Sequence, residues 1–227
     1  MIQTVPSRIL LDIETQRDFF LPGGSCYKRG ARGVARRIYQ LFRWARGERI
    51  PVISTVLRVR PNERGPLARV PHCIDGSRGE QKLPRTVLPR RINLGLRNTT
   101  DLPADLLNYQ QIIFEKRYAD LFLHARAERL ITELPMTTFV ICGAGVAGGI
   151  AQTAIGLRFR GFDVILATDA VLDLAHPLAE MAYRRMAAKG VVFAETWQIV
   201  SPQLRQRTKP MRKTAPGGAV QATPNPS

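Results

Sequence analysis

Two rhythms of apolar residues alternate along the chain. Short, nearly unbroken apolar runs occur at residues 8–14, 50–57, 111–116, 137–143, 163–170 and 191–194. Runs of that length, rich in Ile and Val, predict strands buried on both faces. Between them apolar positions recur every three or four residues, the period of a helix with one buried side. Over residues 31–47, Val34, Ile38, Leu41, Phe42 and Ala45 fall on one side, and Arg32, Arg36 and Arg43 on the other, with Arg29 just before the start. The same spacing predicts helices over 121–134, with Asp120 as N-cap, over 150–161 and over 177–189. Strands alternating with helices imply an α/β fold: a mostly parallel sheet, right-handed crossovers, helices on both faces.

One stretch organises the rest. Residues 139–142 form an apolar strand end, a glycine-rich turn runs from Gly143 to Gly149, and Ile150, Ala151, Ala154, Ile155 and Leu157 then recur at helical spacing up to Gly161. Such a turn aims several backbone N–H groups of a helix start into one small space, which suits an anion or an oxyanion. A strand feeding a helix also uses glycine merely for close approach. The spacing fits neither a dinucleotide fingerprint nor a P-loop.

Further candidate chemistry lies at strand ends. Strand alternation places Asp12 and Glu14 on one face, at the edge where ligands of open α/β sheets bind. The plainer alternative has Asp12 satisfying backbone donors and Glu14 meeting solvent. Lys116 ends the 111–116 strand, as a catalytic group or a snorkelling one. His72 and Cys73 are adjacent, so in an extended chain they point apart, and both are read as structural. The arginine row on the 31–47 helix is either a phosphate grip or a solvated face.

With 227 residues, 44% of them hydrophobic, the chain can bury one full core, placed here at residues 1–200. Within it, residues 58–101 carry prolines at 61, 66, 71, 84 and 89 and read as one long irregular loop, functional or an oligomer contact. Residues 201–227 are polar and basic with little to bury, and read as a disordered tail. Net charge is +16, and without the tail's five basic residues 29 basic still face 18 acidic ones. That field favours anionic partners, whether substrate carboxylates or polyanions. No run approaches a membrane span, and residues 1–8 lack the apolar block of a signal peptide. Cys26, Cys73 and Cys142 form no zinc or redox motif, so a reduced, cytoplasmic setting is expected.

Five landmarks carry a resemblance. They are Glu14-Thr-Gln-Arg-Asp-Phe-Phe-Leu-Pro-Gly-Gly24, Pro71-His-Cys-Ile-Asp-Gly-Ser-Arg-Gly79, Glu115-Lys-Arg-Tyr-Ala-Asp-Leu-Phe122, the 142–161 stretch and Asp169-Ala170. From about residue 9 to residue 195 the chain resembles the isochorismatase-like cysteine hydrolases, which include nicotinamidases and isochorismatases. The resemblance implies a three-layer αβα sandwich around a six-stranded, mostly parallel, Rossmann-like sheet, and a homo-oligomer. It places the family's catalytic aspartate on Glu14, its lysine on Lys116 and its nucleophilic cysteine on Gly149. It places substrate contacts on Gln16, Phe19, Val146, Ala147 and Gly148, and a non-proline cis peptide near Val146 and Ala147. The Asp-x-His metal cluster of nicotinamidases corresponds to Arg58-Val-Arg-Pro-Asn-Glu-Arg64, which has no histidine. Neither a metal nor a cofactor is expected.

The missing thiol shapes the functional expectation. Amide hydrolysis in this family needs a thiolate to attack the carbonyl. Loss of a triad nucleophile costs on the order of a million-fold in rate. The chain is therefore expected to be a degenerate member of the family, or a repurposed binder of a small anionic molecule. Isochorismatases offer a second expectation, because they too carry glycine there. Their vinyl ether cleavage needs a carboxylic acid and water, for which Glu14 and Lys116 would serve. Against this, the segment from Lys116 to Phe122 looks more like the cysteine-hydrolase branch, and the longer Glu14 shifts the carboxylate. A third expectation, of another class, is nucleic acid binding by the arginine row and the tail. No membrane partner is expected.

Overall fold

A computed structural model describes residues 7–201 except 66–67, 136 and 174–175. Seven parallel strands make one sheet: β1 (Arg8–Ile13), β2 (Val52–Leu57), β3 (Arg91–Asn93), β4 (Gln111–Lys116), β5 (Thr138–Ala144), β6 (Asp163–Leu172) and β7 (Val192–Ala194). Their spatial order is β3-β4-β2-β1-β5-β6-β7. The α-helices among the described residues are α1 (Arg17–Phe20), α2 (Ala31–Gly47), α3 (Ala125–Thr132), α4 (Ala151–Phe159), α5 (His176–Ala188) and α6 (Thr196–Val200). β1 lies centrally, and the chain fills first one side of it, with β4 inserted between β2 and the edge strand β3, and then the other. That reversal puts a topological switch point at the C-terminal end of β1, beside β5.

Alternation along the strands sorts the core into two layers. Ile9, Leu11, Ile13, Phe114, Phe139 and Ile141 pack with Leu130 of α3, Ala154 of α4 and Met186 of α5. On the opposite face Leu10, Val52, Leu57 and Val140 pack with Ile38, Leu41 and Phe42 of α2 and Ile199 of α6. β2 and β5 are buried along their whole length, as strands covered on both faces must be. Where β5 meets β1, a Cβ on Gly143 would stand 1.8 Å from the Ile13 carbonyl oxygen, so only glycine lets the two strands close there.

The α/β class and the three layers are as expected, and four details differ. The sheet has seven strands rather than six. The extra one, β3, is a three-residue edge strand inside the 58–101 segment that pairs Arg91–Asn93 with β4. Its sequence is mostly polar, so no hydrophobic run marks it. The helix expected over 121–134 is broken: Asp120 caps a 3-10 turn at Leu121–Leu123, accepting from the Phe122 N–H at 2.9 Å, and α3 starts only after an extended His124. The turn after β5 closes as one π-type turn, Val146–Ile150, before α4 begins. Finally, no cis peptide occurs among the described residues. Gly145, at φ +81°, and Gly148, at φ −110° and ψ −112°, supply the bend instead. Gly161, at φ +84°, follows the C-cap Arg160 and ends α4 as its position predicts. Residues 202–227 of the expected tail lie outside the described residues. Among the described residues no helix is long and apolar enough to cross a membrane.

Candidate functional site

Three chain segments converge at the switch point: the residue after β1, the last residue of β4 and the turn after β5. Glu14 adopts φ +53°, an uncommon backbone state for a residue with a side chain. Its N–H donates to Thr55 Oγ1 at 3.2 Å. That conformation ends the alternation of β1. Asp12 therefore does not share a site with Glu14, contrary to the strand-based expectation. Asp12 is held by Lys82, Ser54 and Thr15, whereas Glu14 reaches Lys116.

The Glu14 carboxylate accepts a hydrogen bond from Lys116 Nζ, and both side chains are almost fully buried. Lys116 Nζ also donates to the carbonyls of Tyr118, at 3.0 Å, and Ala119, at 2.9 Å. An ammonium has three N–H donors, so all are committed within the protein. Gly149 lies against this pair. A Cβ there would sit 3.0 Å from Glu14 Oε1, 3.1 Å from the Ala119 carbonyl oxygen and 3.4 Å from Ile13 Cγ2. The carboxylate thus lies against the space where a side chain on residue 149 would begin.

The other positions singled out in the sequence fall around this centre. Val146 is buried, Ala147 exposed and Gly148 partly exposed. Gln16 is buried, and its carboxamide donates to the carbonyls of Leu57, at 2.7 Å, and Glu80, at 2.8 Å, while accepting from the Leu57 N–H at 2.9 Å. It fastens the end of β2 and the long loop to the start of α1. Phe19 is buried in the α2-side core and meets the His72 ring edge-on at 5.5 Å.

The described structure holds no activated thiol. Cys142 lies on β5 in register with Asp12, and burial pushes its thiol well up. Cys73 is pushed up by burial first and then by the charges of Glu14 and Asp18. Cys26 is raised by burial and by Asp18. A raised pKa keeps sulfur protonated and poorly nucleophilic. Among the described residues no three His, Cys, Asp or Glu side chains are grouped to hold a metal ion.

Two polar clusters escaped the sequence reading, both built by the long loop. On the α2 side, Lys82 Nζ donates to Asp12 Oδ2 at 2.6 Å and to Thr15 Oγ1 at 2.8 Å. Ser54, Thr86 and Gln111 extend that network. At the end of β4, Arg58 pairs with Asp75, with Glu80 at 3.1 Å and with Glu115 at 2.6 Å, and Arg117 reaches Asp75 at 3.0 Å. Neither pairing has a local spacing that could have announced it.

An open parallel α/β sandwich, with a buried carboxylate–ammonium pair at its switch point beside a glycine-turned helix start, is thus the class of protein that the fold and site define. The isochorismatase domain family matches residues 99–198. The fold agrees with solved structures. An isochorismatase-like hydrolase from Alkaliphilus metalliredigens is 17% identical over 86% of this chain and 97% of its own, with a TM-score of 0.67. Nicotinamidase from Bacillus subtilis is 19% identical over 83% and 99%, TM-score 0.63. N-carbamoylsarcosine amidase from Thermoplasma acidophilum is 16% identical over 84% and 96%, TM-score 0.63. No curated protein matches the chain in sequence. Residues 99–198 thus resemble the isochorismatase domain family, and the fold is the one seen in isochorismatase-like hydrolases.

Proposed function

We propose that the chain is a member of the isochorismatase-like hydrolase superfamily with no thiol at its glycine turn, catalytically degenerate toward the amides that its fold relatives are named for. One observation carries this: the Glu14 carboxylate lies against the position where a side chain at residue 149 would start, and Lys116 spends all three donors on Glu14 and two carbonyls. Position 149 offers no nucleophile, a side chain there would start in tight contact with Glu14 and Ala119, and the ammonium has no donor left for an anionic ligand. Degeneracy is therefore favoured over a new small-anion site. The protein acts through its surfaces, as a cytoplasmic homo-oligomer. Purified chain incubated with nicotinamide and with N-carbamoylsarcosine should release no ammonia above background at high enzyme concentration. Ammonia release that disappears in Lys116→Ala overturns this.

A second reading is favoured by the carboxylate itself. The Glu14 side chain keeps 6% of its surface exposed, next to the glycine turn. In this reading the Glu14 carboxyl passes a proton to the double bond of a vinyl ether and water captures the cation, as in isochorismatase-type cleavage, without a covalent intermediate. Pyruvate released from isochorismate, and lost in Glu14→Gln, supports it; no release rules it out.

A further inference from the structure

We propose that the outer face of α2 binds the phosphate backbone of duplex nucleic acid. Five α2 residues share that face: Arg32, Arg36, Tyr39, Arg43 and Arg46 follow one another at steps of four, three, four and three. That spacing keeps them in one row along the helix. The row runs about 21 Å at 1.5 Å per residue. All four arginines are exposed, and none forms a salt bridge among the described residues. The neighbouring Arg37, which lies off the row, is the α2 arginine that pairs, reaching Asp169 at 3.2 Å. α2 itself contains no acidic residue. Exposed arginines left unpaired in a rigid row are repelled by one another, and a partner of opposite charge relieves that repulsion.

The row also restricts the partner. None of the exposed large hydrophobic side chains lies on α2, so the face has nothing to insert into a membrane or to bury in an apolar interface. The one aromatic ring in the row, Tyr39, is covered by the guanidinium of Arg85 at 4.9 Å and is not free to stack on an unpaired base. Near one end of the row a hollow of about 360 Å³ opens beside Arg43 and Arg46, with Pro89 and Gln110 in its wall. Planar guanidiniums bind phosphate oxygens two bonds at a time. A rigid row of positive charge with no free aromatic ring suits the regular phosphates of a duplex, contacts that position a protein without reading sequence.

The test uses the full chain and a fluorescein-labelled 20-base-pair DNA of mixed sequence, followed by anisotropy across a salt series. Four phosphate contacts contribute about −3.6 to the slope of log affinity against log salt, roughly a 150-fold loss between 50 and 200 mM. The quadruple variant Arg32→Gln, Arg36→Gln, Arg43→Gln, Arg46→Gln should flatten the slope by about that amount, leaving only what the basic tail supplies. Replacement of the same four by Lys should retain most of it, which separates charge from any effect on folding. Absence of binding at 50 mM salt overturns the proposal, and so does an unchanged slope in the Gln variant. Tighter binding to phosphatidylserine vesicles than to the duplex, lost in the Gln variant, also overturns it, because the face would then serve a membrane surface.

Discussion

Introducing a cysteine at position 149 probes how closely Glu14 crowds the room that a side chain there would need. The backbone of Gly149 is not in the left-handed region, so a side chain there carries no φ penalty. The obstruction is steric. The new Cβ would meet Glu14 Oε1 at 3.0 Å and the Ala119 carbonyl oxygen at 3.1 Å. Both oxygens are held by the same Lys116 ammonium, so neither moves without disturbing the buried ion pair. Overpacking of this kind costs about 1–3 kcal/mol. Replacing a helical glycine offsets about 0.5–1 kcal/mol of it. Gly149→Cys should therefore destabilise by about 0–2.5 kcal/mol, a Tm lower by up to roughly 10 °C for a domain of this size.

Glu14→Asp withdraws the carboxylate by one carbon–carbon bond. Alone it should also destabilise, by about 1–3 kcal/mol, because the buried pair with Lys116 lengthens and a methylene is lost. Together the two changes relieve each other, since the shorter acid vacates the space that the Cβ needs. The double variant should be about 1–2 kcal/mol more stable than the sum of the single effects. Urea unfolding of the four proteins measures that coupling. Additivity within about 0.5 kcal/mol would refute the mutual fit of Glu14 and Gly149. Iodoacetamide gives a second readout: the thiol introduced by Gly149→Cys in the double variant, beside Lys116, should alkylate at neutral pH faster than the three native thiols.

Other consequences follow from the buried charges. Lys116→Met leaves Glu14 buried without its partner and should cost about 3–5 kcal/mol in chemical denaturation, most of it recovered by adding Glu14→Leu; a neutral single variant contradicts the buried pair. Lys82→Met strands Asp12 in the same way and unties the long loop, so amide exchange and proteolysis should increase within residues 58–101 while the central strands stay protected; unchanged protection sinks that role. His124 is buried, bonds the Gly95 carbonyl through Nε2 at 3.1 Å and has its pKa lowered from 6.5 chiefly by burial. The unfolded chain then binds the proton more readily. The stability His124 contributes should be complete above about pH 6.5 and fall as pH drops through the lowered folded value. His124→Gln should flatten the Tm profile below pH 6.5, and an unaltered profile counts against it.

How far the sequence reveals this molecule depends on where each interaction is made. β1, β2, β4, β5 and β6 announce themselves because burial on both faces demands runs such as Ile-Leu-Leu and Phe-Val-Ile. α2 is legible because one side must be apolar. β3 is not, since an exposed edge strand of three residues needs no hydrophobic pattern. The break between Leu123 and Ala125 was missed because helical spacing continues through an extended His124. At the site, Glu14, Lys116 and Gly149 could be named from motifs, but their contacts depend on a φ of +53° at Glu14 that no pattern encodes. Lys82 and Arg58 act on residues far away in the chain, and pairing at that distance is fixed only by the folded path of the loop.

The presence of Lys116 alone says little about catalysis. A family lysine at a strand end invites a catalytic role, yet here its ammonium is neutralised by Glu14 and satisfied by two carbonyls that shape the segment after β4. Removing it would leave a buried carboxylate and two orphaned carbonyls, so with Glu14 in place stability alone accounts for a lysine at this position. The same holds for Lys82, which has no assigned chemistry and makes an equally buried pair with Asp12 on the other face of the sheet. Two such pairs flank the end of β1, and one of them is explained entirely by tethering a loop. What distinguishes the Glu14 pair from the Lys82 pair is its place against residue 149, where a Cβ would stand 3.0 Å from Glu14 Oε1.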